Sequence, residues 1–112
     1  MATSKKTPAK TATKYDVAKA PLSLIPESAL LQEALVMAYG KTKYGKDNWR
    51  GGMEWSRLID AALRHILAFN AGETFDKETG LHHLAHARCN LAFLIEYSTT
   101  HPKLDDRHVK QT

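Results

Sequence analysis

The sequence contains a single cysteine, Cys89, so no internal disulfide can form. An unpaired thiol in an apolar stretch suits a reducing compartment, and we expect Cys89 to be a small core residue. No apolar run approaches the roughly 20 residues that span a bilayer, and the first residues lack the apolar segment of a secretory signal. We therefore expect a cytoplasmic protein with no membrane contact.

Strand patterns are also missing, because no segment alternates apolar and polar residues and no internal repeat occurs. Apolar residues recur instead at helical spacing, and 112 residues leave room for one domain. We predict an all-α fold, a small helical bundle of about three main helices. A chain of this size buries a modest core, so we also expect a homo-oligomer.

Positive charge is concentrated at the beginning of the chain. The first 20 residues hold five lysines and one aspartate, which accounts for the whole formal net charge of +4. Residues 21–112 carry equal numbers of basic and acidic side chains. A surface that binds a nucleic-acid duplex instead has an excess of Lys and Arg, which neutralise phosphates. Nucleic-acid binding is therefore not expected of the folded part. Residues 1–14 have few large apolar side chains and are predicted to be a disordered basic tail.

The helical domain is predicted over residues 15–100 and a polar, frayed end over 101–112. Pro21 and Pro26 predict an extended arm over residues 15–26, pinned to the core by Leu22, Leu24 and Ile25. The helices are predicted over 27–39, where Gly40 ends or loosens the first one, over 54–71 and over 81–98. The predicted packing residues are Trp55, Leu58, Ile59, Ala62, Ile66 and Phe69 in the second helix and Leu84, Leu91, Leu94 and Ile95 in the third.

The stretch between the first two helices combines cations, aromatic rings and an amide. Three glycines and the lack of an apolar period predict a loop over 41–52. Cations and free backbone amides suit phosphates, aromatic faces suit base stacking, and an amide can read a base edge. A solvated loop whose aromatic rings cover the core fits the spacing as well. The candidate binding residues are Lys41, Lys43, Tyr44, Lys46, Asn48, Trp49 and Arg50.

Histidines cluster at the start of the third predicted helix. His83, His86 and Asn90 share a face, while His82 and His86 form a competing pair at four-residue spacing. Either pair could ligate a divalent metal, act in acid–base chemistry or bind phosphate, and surface histidines without ligands are common. The acidic linker before them offers the remaining candidate metal ligands, Glu73, Asp76 and Glu78.

The second predicted helix adds Arg64, whose guanidinium can bind phosphate through two hydrogen bonds, and His65 beside its apolar face. Antiparallel packing would place both near Asn90 in the middle of the third helix. An 18-residue helix is about 27 Å long, so the loop over 41–52 would lie far from His83. A complete pocket is therefore predicted to need either a folded-back loop or a neighbouring subunit.

These spacings resemble the phage family described as the dATP/dGTP diphosphohydrolase N-terminal domain, over about residues 23–97. The resemblance implies a phage protein in the cytoplasm of an infected bacterium, an all-helical fold and a purine deoxynucleotide ligand. The motifs that carry it are Lys43-Tyr44-Gly45 with Asn48-Trp49, Ala61-Ala62-Leu63-Arg64-His65, Gly72-Glu73 with Asp76, and His83-Leu84-Ala85-His86-Ala87 with Asn90.

The resemblance favours a metal-dependent dATP/dGTP diphosphohydrolase that uses Mg²⁺, Mn²⁺ or Co²⁺. It implies Glu73, Asp76 and His86 as catalytic residues, and the same three with His83 as metal ligands. The predicted nucleotide-binding residues are Lys43, Tyr44, Lys46, Asn48, Trp49, Arg64, His65, His83 and Asn90.

A non-catalytic function is the alternative. Pyrophosphohydrolases of the MazG kind, to which the resemblance points, hold magnesium with a Glu-x-x-Glu and a Glu-x-x-Asp pair. In this sequence Glu73-Thr-Phe-Asp76 is the one pair with that spacing, and the His-Asp dipeptide of HD hydrolases does not occur. The alternative is a phage sponge that sequesters a nucleotide second messenger of bacterial immunity without hydrolysing it.

Overall fold

The computed structural model describes residues 11–109, so most of the predicted tail and the last three residues lie outside it. The long helices are α1 (Glu27–Tyr44), α2 (Trp55–Asn70) and α3 (His83–Thr100). Short 3-10 turns occur at Leu22–Leu24, Asn48–Gly51 and Pro102–Leu104. No strand occurs among the described residues, where one isolated antiparallel bridge joins Phe75 and His82. The predicted all-α fold with three main helices is confirmed.

Helix α3 is the centre of the bundle, because α1 and α2 both pack against it. Each of the two interfaces has a small core, and the partly buried ring of Phe93 belongs to both. The buried core residues are Val36, Ala85 and Cys89 between α1 and α3, and Trp55, Leu58 and Tyr97 between α2 and α3.

Helix α1 is longer than predicted, since it passes Gly40 and ends at Tyr44. A glycine inside a helix costs only about 1 kcal/mol relative to alanine, which neighbouring helical residues offset. The chain leaves the helix at the next residue, Gly45, whose φ of 93° lies in a region that favours glycine. The predicted loop over 41–52 was therefore wrong for its first four residues, and Lys43 and Tyr44 lie on the last turn of α1.

Two predictions about packing were also wrong. Leu22 and Leu24 are 70% and 79% exposed, so they do not pin the arm to the core. Leu91 and Ile95 of α3 are exposed, whereas small residues such as Ala85 and Cys89 are buried. Helix α3 has neighbours on two sides, and other helices approach it most closely where its side chains are small. The spacing of large apolar residues in the sequence does not show where this happens.

The C-terminal segment is docked rather than frayed as far as the structure describes it. The carboxylate of Asp106 accepts hydrogen bonds from the Ser56 backbone N–H at 2.9 Å and from its hydroxyl at 2.6 Å. The Trp55 indole donates to the backbone carbonyl of His101 at 3.1 Å. These contacts hold the segment against the start of α2. Among residues 11–109 no helix has both the length and the apolar character needed to cross a membrane.

Candidate functional site

An open cleft of about 1480 Å³ lies between the end of α1 with its following turn and the α2–α3 seam. Lys43 Nζ on α1 lies 3.8 Å from Glu78 of the linker, so the end of α1 closes over the start of α3 within one chain. This is the folded-back arrangement of the two that were predicted. Of the predicted candidates, Glu73, Arg50 and His82 do not line the cleft. It is lined by the other predicted catalytic, metal-binding and nucleotide-binding residues: Lys43, Tyr44, Lys46, Asn48, Trp49, Arg64, His65, Asp76, His83, His86 and Asn90.

The histidines of α2 and α3 meet at the seam. The rings of His65 and His86 stack with centroids 4.5 Å apart and an interplanar angle of 8°. His65 Nδ1 lies 2.9 Å from His83 Nδ1. His65 therefore contacts the first turn of α3, one helical turn before its predicted neighbour Asn90, and both residues line the cleft.

Glu73 lies behind this histidine cluster rather than in the cleft. Its carboxylate Oε1 is 2.7 Å from His83 Nε2, and Lys77 Nζ lies 3.5 Å from Oε2. The hydrogen bond with His83, supported by the charge of Lys77, lowers the pKa of Glu73. Glu73 is therefore an ionised partner of His83, and the prediction that it belongs to the metal-ligand group differs from the observed geometry.

Asp76 is placed by the turn that precedes α3. Its backbone N–H donates to Leu81 at 2.8 Å and its carbonyl accepts from Gly80 at 2.7 Å. Its Oδ1 accepts a hydrogen bond from the Glu78 backbone N–H at 2.9 Å, while Oδ2 lies 3.6 Å from His86 Nε2. The turn thus presents one side of the Asp76 carboxylate to the histidine cluster.

Thr79 is a member of the site that was not predicted. Its hydroxyl lies 2.8 Å from His86 Nε2. The same hydroxyl accepts a hydrogen bond from the Leu81 backbone N–H at 3.2 Å, so Thr79 connects the turn with α3. Asp60 of α2 also lines the cleft without having been predicted. Gly80, with a φ of 75°, was a sequence signal for a tight turn that could have directed attention to its neighbour Thr79.

His65, Asp76 and His86 form a group that fits a metal ion. One potential ligand atom from each side chain lies within 4.8 Å of the other two. Burial lowers the pKa of both His65 and His86, which favours the neutral rings that ligate metals. Two imidazoles and a carboxylate are suitable donors for a divalent cation. The observed group therefore contains His65, whereas the predicted ligands Glu73 and His83 lie behind it.

The phosphate-binding candidates lie around the mouth of the cleft. Lys46 and Arg64 are exposed and take part in none of the ion pairs described for residues 11–109. Lys43 also lies 5.2 Å from the ring centroid of Tyr44. Asn90, which also lines the cleft, donates from Nδ2 to the carbonyl of His86 at 3.0 Å.

The two predicted stacking residues differ in their surroundings. Trp49 stacks on Phe93 with centroids 4.4 Å apart, and the Arg50 guanidinium carbon lies 4.5 Å from the indole centroid. Two groups this close to one ring cannot share a face, so both faces of Trp49 are covered. The Tyr97 hydroxyl also donates to the Trp49 carbonyl. Tyr44 is 60% exposed, which makes it the aromatic ring that can accept a base.

The chain is similar in sequence to a phage protein and to a family model. The protein named dATP/dGTP diphosphohydrolase of Salmonella phage PMBT28 is 44% identical over 97 residues, which make up 87% of this chain and 33% of that protein. The chain thus spans about a third of that relative's length. No solved structure matches the chain significantly. The family model matches residues 9–107, and the chain therefore belongs to the family described as dATP/dGTP diphosphohydrolase, N-terminal.

Proposed function

We propose that this chain binds a purine deoxynucleotide in the cleft and acts on it as a metal-dependent dATP/dGTP diphosphohydrolase. The observation that carries the proposal is the cleft itself, which places the cations Lys43, Lys46 and Arg64 around the group formed by His65, Asp76 and His86. The name of the phage relative supports the substrate class. Because the chain spans a third of that protein, the activity is part of the proposal.

Each part of the nucleotide has a chemical counterpart in the cleft. Arg64 and Lys46 bind phosphate oxygens, since both are exposed cations at the mouth. Tyr44 stacks on the purine, and the amide of Asn48 contacts the base edge. Asn90 completes the binding surface along α3, whereas His83 is buried and contacts Glu73 and His65 through its two ring nitrogens. The nucleotide therefore lies with its phosphates toward the seam and its base toward the end of α1.

The reaction site is the histidine cluster. A divalent metal bound there would activate water and polarise a phosphate oxygen. His65, Asp76 and His86 would hold it, and Glu73 acts on this group through His83. Water attacks the α-phosphorus, the bond to the bridging oxygen breaks, and the products are a deoxynucleoside monophosphate and pyrophosphate.

Incubation with dATP or dGTP and Mg²⁺, Mn²⁺ or Co²⁺, followed by chromatography of the products, tests the proposal. We expect monophosphate from the wild type, and its loss in Asp76→Asn. Asp16→Asn, which changes an exposed aspartate outside the cleft, is the matched control and should retain turnover. Failure of the wild type to form monophosphate with any of the three metals would remove the enzymatic function.

A second candidate is a sponge for a nucleotide signal of bacterial immunity. It is favoured by one observation, that Asp76 is the single carboxylate in the metal-ligand group found among residues 11–109. Calorimetry with cyclic nucleotides and ADP-ribose derivatives, followed by heating and analysis of the released ligand, separates the two. Tight binding and release of an unchanged ligand would support the sponge, whereas a cleaved ligand would support the enzyme.

A further inference from the structure

A second layer of contacts lies behind the metal-ligand group. Glu73 Oε1 lies 2.7 Å from His83 Nε2, and His83 Nδ1 lies 2.9 Å from His65 Nδ1. Both ring nitrogens of His83 are therefore engaged, and its side chain is buried. The series runs from the Glu73 carboxylate through His83 to His65, which is itself a member of the metal-ligand group.

The positions of the protons along this series follow from Glu73. An ionised carboxylate can only accept hydrogen bonds, so His83 donates from Nε2. His65 Nδ1 faces His83 Nδ1, so Nε2 is the nitrogen of His65 that is left to bind a metal. Binding through Nε2 uses its lone pair, and the proton of His65 is then on Nδ1, which donates it to His83 Nδ1. The series therefore prepares His65 to bind a metal through one particular atom.

We propose that His65, Asp76 and His86 form a transition-metal site, in which His65 binds through Nε2 and is held in that tautomer by Glu73 and His83. Glu73 and His83 are positioning residues, because they act through His65. This metal site deepens the proposed function by naming the class of metal ion. It rests on the proposed function only because it places the active site in the same cleft.

The donor atoms determine the metal class. Two imidazoles and one carboxylate suit Mn²⁺, Co²⁺ or Zn²⁺, whereas Mg²⁺ prefers oxygen ligands and keeps several waters. Three protein donors beside an open cleft leave coordination positions for water or a phosphate oxygen, as in catalytic sites. A partner that orients a ligating histidine typically changes metal affinity by about 10–100-fold when it is removed.

Calorimetric titration of metal-free, tag-free full-length protein with Mn²⁺, Co²⁺, Zn²⁺ and Mg²⁺ tests the site without nucleotide. We expect one ion per chain, with Mg²⁺ binding at least about tenfold more weakly than Co²⁺. His65→Gln and Asp76→Asn should abolish this binding, and Glu73→Gln should weaken it about 10–100-fold. His108→Ala, which removes an exposed histidine outside the cleft, is the matched control.

Three outcomes of the titration would overturn the proposal. They are the absence of Co²⁺ and Zn²⁺ binding, Mg²⁺ binding as tight as Co²⁺ binding, and an equal loss of binding in His108→Ala. Wild-type affinity in Glu73→Gln would contradict the positioning role. Circular dichroism of each variant shows whether a loss of binding reflects unfolding.

Long-range proton–nitrogen NMR of the histidine rings keeps the test decisive if a variant does not fold, since it needs only the wild type. On addition of Zn²⁺ we expect the His65 Nε2 resonance to move to a metal-bound position while Nδ1 keeps its proton. Metal at His65 Nδ1, or no change at His65, would overturn the proposal.

The metal site and the proposed function can fail separately. A chain that binds Co²⁺ through these residues but leaves dATP and dGTP intact retains the metal site and loses the enzymatic function. A chain whose hydrolysis of dATP is unchanged by His65→Gln retains the function and loses this metal site.

Discussion

At the scale of single residues, similar side chains in this protein have different surroundings and therefore different roles. Trp49 and Tyr44 lie five positions apart near the same cleft, yet Trp49 packs against Phe93 and Tyr44 is exposed. Glu73 and Asp76 share one linker, but Glu73 contacts His83 and Asp76 faces the cleft. Residue type alone therefore does not assign the role, and substitutions of such pairs should separate binding from stability.

The two aromatic residues should respond differently to replacement by alanine. Tyr44→Ala is expected to weaken nucleotide binding by about 1–3 kcal/mol, because it removes a stacking surface, and to leave the melting temperature unchanged. Trp49→Ala should lower the free energy of unfolding by about 3 kcal/mol or more, since it leaves a cavity beside Phe93. Calorimetry and urea unfolding of both variants measure the two effects. A reversed pattern would assign base stacking to Trp49.

Cys89 should react slowly in the folded protein. Burial raises the pKa of its thiol to about 12, and its sulfur contacts that of Met37 at 3.3 Å. The thiolate is therefore scarce at mildly alkaline pH, and reagent access is restricted. We expect Ellman's reagent to label Cys89 slowly under native conditions and rapidly in guanidinium chloride. Equal rates in the two conditions would contradict its burial.

At the scale of secondary-structure elements, the helix ends position the cleft. Helix α1 must continue past Gly40 for Lys43 to reach Glu78, and the chain then leaves the helix at Gly45. Helix α2 must begin at Trp55, where Asp106 binds the N–H and hydroxyl of Ser56. Both ends depend on particular residues, so each can be tested by substitution.

Gly40 and Gly45 form a matched pair for alanine substitution. Gly40 is helical with no heavy atom within 4 Å of an added Cβ, so Gly40→Ala should stabilise the protein by about 0.4–1 kcal/mol. Gly45 has a φ of 93°, and Gly45→Ala should destabilise it by about 1 kcal/mol or more. Thermal unfolding measures both. Stabilisation by Gly45→Ala would show that α1 does not end there.

The contact of Asp106 with Ser56 predicts a dependence of stability on pH. Its hydrogen bonds with the Ser56 side chain and backbone lower the pKa of Asp106. A carboxylate whose pKa is lower in the folded state stabilises it above the pKa of the unfolded chain, about 3.9, and loses this effect as pH falls through the folded value. Urea midpoints over this acidic range should therefore fall less in Asp106→Asn than in the wild type, with Asp16→Asn as the control. Parallel curves would contradict the contact.

At the scale of the whole molecule, the three helices leave much apolar surface uncovered. The two small cores bury few large side chains, and leucines at helical spacing remain exposed on each helix. Pairs of large exposed apolar residues on each of three helices favour an interface with another chain. The exposed pairs are Leu31 and Leu35 on α1, Leu63 and Leu67 on α2, and Leu91 and Ile95 on α3.

We therefore keep the prediction that the chain forms a homo-oligomer. Light scattering coupled to size-exclusion chromatography should give a mass that is a multiple of 12.5 kDa. Substitution of an outward leucine, as in Leu63→Ser or Leu31→Ser, should shift the mass toward the monomer without loss of helical signal, because neither side chain is buried. A wild-type protein that remains monomeric at high concentration would contradict the prediction.

The sequence by itself determined the helical class, the number of long helices and most of the polar residues that line the cleft. Helical periodicity is local, and polar residues of α3 such as His83, His86 and Asn90 recur at spacings that one helix face explains. Sequence also located the second helix to within one residue at each end, because Gly72 and the run of apolar residues delimit it.

Only the tertiary structure decided which of those residues meet. The packing of α2 on α3 brings His65 to His86 and leaves Glu73 behind His83, although Glu73 and Asp76 have the spacing of a ligand pair. The continuation of α1 past Gly40 brings Lys43 across the chain to Glu78. These outcomes depend on where helices end and on which small residues allow close approach, and both are settled by contacts between segments distant in sequence.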